Sequence, residues 1–420
     1  MSDMDIGLKA MGGWRAGALA AAILLYGAAS APAPPGLRLQ EMLIFAGLIL
    51  FIGWRGPLLL ASGLSLFSRR TGPGLAFRMA SLVLMALLWL GMIRGLWNGW
   101  GITDMVRDVL PFLFLSLPVL LAPGLSRLSP AQFTRMVDCA GWAGCALALR
   151  WWVGAGMALS ALGSTSLGEG KEYLLNSALV PFAGVWLCLR AVSRPGGDAA
   201  RLWRLSLPLL YGLGGLACLL ALAATIHRAA LGLSLLAILL GLWRVLARRP
   251  LFALLLGGGL VVLVVAAGVP LAGVAGLVAA KTESVGLNNR VGEVLAVLDQ
   301  VGRDPLAFLI GDGWGALVAN PAVGYWRVSY THSALSYFLL KVGLLGLVGM
   351  ALYVGTLAGQ VARQAIVLPM LFLAAAPSLL IGCFLHTSFK YICFSLILSL
   401  VVSMPESPFT REKMEYTLLI

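Results

Sequence analysis

Charge is what this sequence has least of. Acidic and basic side chains together make up 11% of the 420 residues, against about 25% in an ordinary soluble domain. Acids are the scarcer sign, 17 against 30 lysines and arginines. Histidine occurs three times, as His227, His332 and His386. The six cysteines, Cys139, Cys145, Cys188, Cys218, Cys383 and Cys393, all fall inside apolar runs, without metal-ligand spacing or paired loop positions. They read as small buried hydrophobes, which excludes a disulfide scaffold or a zinc site. So little charge also excludes an ordinary soluble domain.

What is present is hydrophobic, 60% of the chain. Apolar runs of about 20 residues recur from end to end, each long enough to cross roughly 30 Å of hydrocarbon. Lipid gives a bare backbone no hydrogen bonds, so such runs are helices or barrel strands. They lack the two-residue alternation of barrel strands. The expectation is an all-α, polytopic transmembrane helical bundle, one transmembrane domain over 1–420. The runs number about 12 at the length one crossing requires: 14–31, 38–54, 75–97, 107–122, 133–161, 172–192, 204–224, 228–246, 251–272, 332–359, 364–381 and 384–403. The stretch 57–67 is apolar but too short to cross, and reads as a re-entrant or interfacial piece. Lys9 and Arg15 ahead of an apolar stretch resemble a signal peptide. Because further spans follow, that stretch is expected to be a retained first helix.

The net charge is +13. The basic residues lie between apolar runs, so they orient the chain by the positive-inside rule rather than bind nucleic acid. Arginine-dense short loops at 190–204 and 244–249 then fall in the cytoplasm, as do both termini. The longest hydrophilic loop, 273–331, falls outside. Within it, Val291, Val294, Leu295, Leu298 and Val301 recur at helical spacing. They predict an amphipathic helix over 288–302 that rests on the membrane surface, with Glu293 and Asp299 on its other faces. Arg303-Asp304-Pro305 ends it, because proline disfavours helix in the residue before it. Gly311-Asp312-Gly313-Trp314-Gly315 then makes a tight loop.

All three histidines fall at outer helix ends in this topology, and His332 opens a span directly after the large loop. Basic residues on that side run against the orientation rule. They are Arg228, beside His227 in the short gap 225–228, then Lys281, Arg290 at the start of the amphipathic helix, and Lys390 near the start of the last span. Each could simply snorkel to the interface. Ionisable groups beside lipid are nonetheless functional hypotheses by default. Arginines there suit a diphosphate, whose oxygens the guanidinium binds in a bidentate fork. Glu169 and Glu172 around Lys171 read as a solvated loop.

The most specific local pattern is Thr331-His332-Ser333, nine further residues, then Gly343-Leu344-Leu345-Gly346. It resembles the motif of the O-antigen ligase and O-antigen polymerase superfamily: histidine, a small polar residue, a nine-residue spacer and Gly-x-x-Gly. Upstream, Asn289-Arg290, Pro305-Leu306 and the glycine-rich turn at 311–315 resemble that family's large periplasmic loop. Thr225-Ile226-His227-Arg228-Ala229-Ala230 resembles its other arginine motif. The likeness covers roughly residues 220–350, and the N-terminal half matches only as generic membrane helices. Two positions depart from the pattern. Ser333 stands where asparagine is common, and Lys341 where many members carry an acid, which bears on acceptor specificity.

The resemblance implies a C-type membrane glycosyltransferase fold and a metal-independent, inverting enzyme in surface-polysaccharide assembly, without cofactor. It implies a bacterial inner-membrane location with a periplasmic active site. The donor would be a glycan on undecaprenyl pyrophosphate. The acceptor would be a glycan, for a polymerase, or lipid A core, for a ligase; the breadth of the group puts the polymerase first. His332 would be the catalytic base and Arg228 and Arg290 the diphosphate ligands, with His227, Lys281 and Lys390 as further contacts. A metal-dependent variant would use acids in the first external loop, and 31–37 contains none. A lipid-linked sugar flippase is the alternative. It would show paired halves and broken midplane helices, whereas here the ionisable residues gather at one face.

Overall fold

The computed structural model describes residues 3–30, 38–53, 75–156, 172–193, 201–225, 227–248, 257–258, 276, 290–384 and 390–403. The expected pieces at 57–67 and 31–37, nearly all of span 251–272, Lys281 and His386 lie outside the described residues.

Helices dominate. Among the described residues, three lead the chain: α1 (Asp3–Ala29), α2 (Leu39–Ile52) and α3 (Leu75–Trp97). The expected span 107–122 is two pieces, α4 (Ile102–Phe114) and α5 (Leu117–Leu125), separated by a turn at Leu115 and Ser116. Helix α6 (Pro130–Ala155) has legible ends. Ser129 and Gln132 form a reciprocal capping box, Pro130 opens the first turn, and left-handed Gly156 stops the helix. A short 3-10 turn at Glu172–Asn176 leads into α7 (Leu179–Ser193). Every residue of α7 is buried, as expected of a helix that is apolar all round. Around it pack α6, then α8 (Arg201–Ala224), α9 (Arg228–Arg248) and α13 (Pro369–Phe384).

Among the described residues, three stretches are long and apolar enough to cross a membrane, by length and composition: Ile102–Ala122, Ser206–Ala224 and Ala334–Val367. Shorter apolar helices accompany them. Leu43, Leu50, Leu209, Leu239, Trp243 and Leu352 point outward. On a soluble protein so large an apolar surface would be a liability; on a helical membrane protein it faces lipid.

The remaining described elements pack on these helices, the shortest of them at the end where α3 stops and α4 begins. They are α10 (Arg290–Gly302), α11 (Pro305–Ile310), strands β1 (Val318–Asn320) and β2 (Trp326–Val328), α12 (Ala334–Val367) and α14 (Ile392–Val402). The strands pair antiparallel, with Val318 opposite Val328 and Asn320 opposite Trp326. Helix α12 is broken at Gly343, whose φ of 64° and ψ of −162° no helix contains.

The expected amphipathic helix is present as α10, but its two faces have a use the sequence did not reveal. Val291, Leu295 and Leu298 are exposed. The opposite stripe, Glu293, Val297 and Val301, is buried against β1 and α12. The carboxylate therefore points into the protein.

Candidate functional site

Glu293 and His332 meet across α10 and the start of α12. The His332 Nδ1 lies 2.7 Å from Glu293 Oε2, and the His332 backbone N–H donates to Oε1 at 2.6 Å. The Asn320 amide donates to Oε2 at 3.0 Å. The Glu293 side chain is 1% exposed and that of His332 24%, so the carboxylate is enclosed and the ring reaches the surface. Burial alone would raise the Glu293 carboxyl. The hydrogen bonds from the His332 ring and backbone and from Asn320 outweigh it and hold the carboxyl below its usual value. An ionised Glu293 can only accept, so the tautomer this contact favours carries N–H at Nδ1 and its lone pair at Nε2.

The chain brings the ring there by local rules. Ser333 caps α12, its Oγ accepting from the Leu335 N–H at 3.2 Å. Serine is a strong N-cap, so the residue after the histidine starts the helix. The Tyr330 ring stands edge-on to His332 at 5.9 Å.

After nine intervening residues, the helix break at Gly343 receives the glycine-rich loop. The Asp312 N–H donates to the Leu340 carbonyl at 2.9 Å and the Gly313 N–H to that of Lys341 at 3.0 Å. The carbonyls freed by the break are thereby satisfied. Gly311 and Gly343 touch backbone to backbone, both at positive φ, so a Cβ on either would strike the other segment. On the loop's far side, the Arg94 guanidinium bonds the Gly311 carbonyl at 3.1 Å and the Asp304 carboxylate at 2.9 Å. Trp314 is fully buried, its indole donating to the Leu88 carbonyl at 2.9 Å.

Lys341 is buried below this loop and paired with Asp108 of α4. Asp108 also accepts from the Gly315 N–H at 2.8 Å and the Tyr337 hydroxyl at 3.3 Å. Lys341 Nζ donates to the Ala316 carbonyl at 2.5 Å. The charge of Lys341 is met by Asp108 from another helix.

The other expected site residues are placed unevenly. Lys390 Nζ lies 3.9 Å from the Tyr337 ring centroid and 5.7 Å from that of Tyr330, which brings it to the histidine's neighbourhood. Arg290 opens α10 one turn before Glu293. Arg228 opens α9, after His227, and α9 packs on α7, α8 and α13 rather than on α10 or the hairpin. Among the described residues no group of three His, Cys, Asp or Glu side chains is placed to hold a metal ion.

Sequence reasoning missed Glu293 and Asn320. A signal for Glu293 did exist. In a chain this poor in acids it shares an i, i+4, i+8 stripe with Val297 and Val301, a second apolar stripe with a carboxylate at its head.

No protein-family model matches this chain, and no curated protein matches it either.

Proposed function

We propose that the chain is a membrane glycosyltransferase of the O-antigen polymerase and ligase type, with His332 as general base. The observation that carries this reading is the two-point hold of Glu293 on His332. A carboxylate that fixes the tautomer and orientation of a partly exposed imidazole is the arrangement of a general base. The fold is then a C-type bundle of about 12 spans, with both termini cytoplasmic and 273–331 periplasmic. The setting is the bacterial inner membrane.

In this reading the reaction is a single displacement. His332 Nε2 takes the proton of an acceptor hydroxyl as its oxygen bonds the anomeric carbon. The bond from that carbon to the lipid diphosphate breaks, its electron pair leaves on the phosphate oxygen, and the anomeric centre inverts. Glu293 stabilises the imidazolium that forms. Arg290, one turn from Glu293, and Arg228 neutralise the departing diphosphate. Lys390 adds positive charge near the ring. The apolar helices hold the polyprenyl tail. The polymerase form, with a lipid-linked glycan as acceptor, is preferred to transfer onto lipid A core.

The test is a reconstituted reaction. Purified protein in vesicles, with chelator, is given polyprenyl-diphosphate-linked glycan and either a second lipid-linked glycan or lipid A core. Longer lipid-linked glycan supports the polymerase and glycosylated core the ligase. Glycan movement across the bilayer without transfer overturns the reading in favour of a flippase.

A further inference from the structure

Exposed aromatic side chains at the tip of the β1–β2 hairpin have no part in the chemistry just described. Tyr325 is 71% and Trp326 75% exposed. Tyr325 takes a φ of +63°, and among the described residues no other non-glycine residue has a positive φ. A bulky residue in that region is an outlier that points to function. The turn is closed by the Tyr325 N–H on the Asn320 carbonyl at 2.9 Å, and it keeps both rings outward.

Two three-residue strands do not hold together unaided in water. This hairpin is fastened at several points. The Arg107 guanidinium donates to the Ser329 hydroxyl at 3.2 Å, Arg327 stacks over the Trp100 ring at 5.9 Å, and Asn320 is bonded to Glu293. The tip is a fixed platform.

Register gives the platform its meaning. Trp326 stands directly opposite Asn320, and directly opposed residues of an antiparallel pair project from the same sheet face. Asn320 is the residue that holds Glu293, and Glu293 holds His332. Register thus sets Trp326 across from the residue that holds the dyad, with the partly exposed Tyr330 beside the histidine. Asn320 and Val318 of that face are buried against α10, while Trp326 and the 24%-exposed His332 ring reach the surface, where an acceptor hydroxyl has to arrive. The apolar stripe Val291, Leu295 and Leu298 lies on the opposite side of α10, and lipid belongs there.

We infer that Trp326, with Tyr325, is a stacking subsite for a sugar ring of the acceptor and presents the hydroxyl of that glycan to His332. A pyranose has a face of C–H bonds that lies on an aromatic ring, while its hydroxyls stay solvated or reach Tyr330. The subsite rests on the transferase reading above. The competing occupant, membrane headgroups around an interfacial tryptophan, is an outcome of the test.

The protein is reconstituted in nanodiscs. The polyprenyl-linked glycan fraction extracted from membranes of cells that naturally make the protein serves as substrate. Trp326→Ala should raise the acceptor KM about 3- to 10-fold, the factor an aromatic contact supplies, with kcat within about twofold. Trp326→Tyr should restore most of the loss, and Trp326→Leu should behave like alanine, since stacking needs a ring face. A wild-type KM in Trp326→Leu overturns the subsite, as does quenching of Trp326 fluorescence by brominated lipid. Should wild-type protein transfer nothing, the transferase reading fails. The subsite is then judged by binding of the glycan released from that same fraction with mild acid. Tighter binding by wild type than by Trp326→Ala supports it, and equal or absent binding overturns it.

Discussion

Asp108 on α4 and Lys341 on the first segment of α12 form an ion pair that solvent barely touches, their side chains 3% and 0% exposed. Through Gly315 and Ala316 the same two residues hold the loop that leads into β1. The pair therefore fastens the helices to the hairpin that carries Asn320. Removing one partner of a buried pair strands the other charge, at about 3–5 kcal/mol. Asp108→Asn and Lys341→Met should each lower the thermal midpoint of the solubilised protein strongly. The double variant should lose less than the two together. Additive losses would show that the two charges do not interact.

Glu293→Gln tests the hold on the imidazole. Glutamine keeps the shape but no longer fixes the tautomer by charge, so transfer should fall roughly 10²-fold or more, within the range of positioned acid–base catalysis. The pH dependence carries a sign. The folded carboxyl sits below its ordinary value of 4.5, so its contribution to stability is fully present above that value. It is lost as pH falls through the lower, folded one. Wild-type thermal stability should drop on acidification below about pH 4.5. Glu293→Gln should lack that part of the drop; identical acid profiles would exclude this linkage.

His332→Ala should lose about 10²–10⁴ in rate, with folding and donor binding kept, because a base acts on the acceptor and not on the diphosphate. Heat protection by the lipid-linked donor reads binding separately from turnover. Near-wild-type rates in His332→Asn would refute the base assignment. Lost donor protection would move His332 into the diphosphate site.

Arg290→Ala and Arg228→Ala should both impair transfer, and lysine should rescue poorly because it lacks the bidentate fork. Their positions differ: Arg290 begins the helix that carries Glu293, while Arg228 begins a helix packed on α7, α8 and α13. Donor affinity measured for each variant settles which of them binds diphosphate. Unchanged affinity and turnover in Arg228→Ala would restrict the site to Arg290.

Gly343→Ala should destabilise the chain. A side chain in that backbone region is strained by about 1–3 kcal/mol, and its Cβ would also strike the backbone at Leu309, Ile310 and Gly311. Gly355→Ala, further along α12 where a Cβ meets open space, is the control and should leave the thermal midpoint unchanged or raised. Equal midpoints for the two variants would show that the break at Gly343 is not needed for the fold.

The sequence by itself determined what repeats locally. Apolar runs set α2, α3, α8 and α9 within a few residues, because a helix that meets lipid has to be apolar over its own length. The apolar run alone put the ends of α6 at 133 and 161, whereas the Ser129–Gln132 box and Gly156, contacts within one turn, set them at Pro130 and Ala155. The spacing from His332 to Gly343 was also visible, though not its cause, which is a broken helix with Gly311 pressed into the gap. Only the tertiary structure decided which side of α10 is buried. Two apolar stripes share that helix, and periodicity alone cannot rank them. The stripe with fewer hydrophobes is the one that packs, because Glu293 gains His332 and Asn320 as partners there. Those partners lie far along the chain, on the start of another helix and on a strand. Hydrogen bonds between distant segments leave no periodic trace, so the dyad and the Asp108–Lys341 pair appear only once the chain has folded.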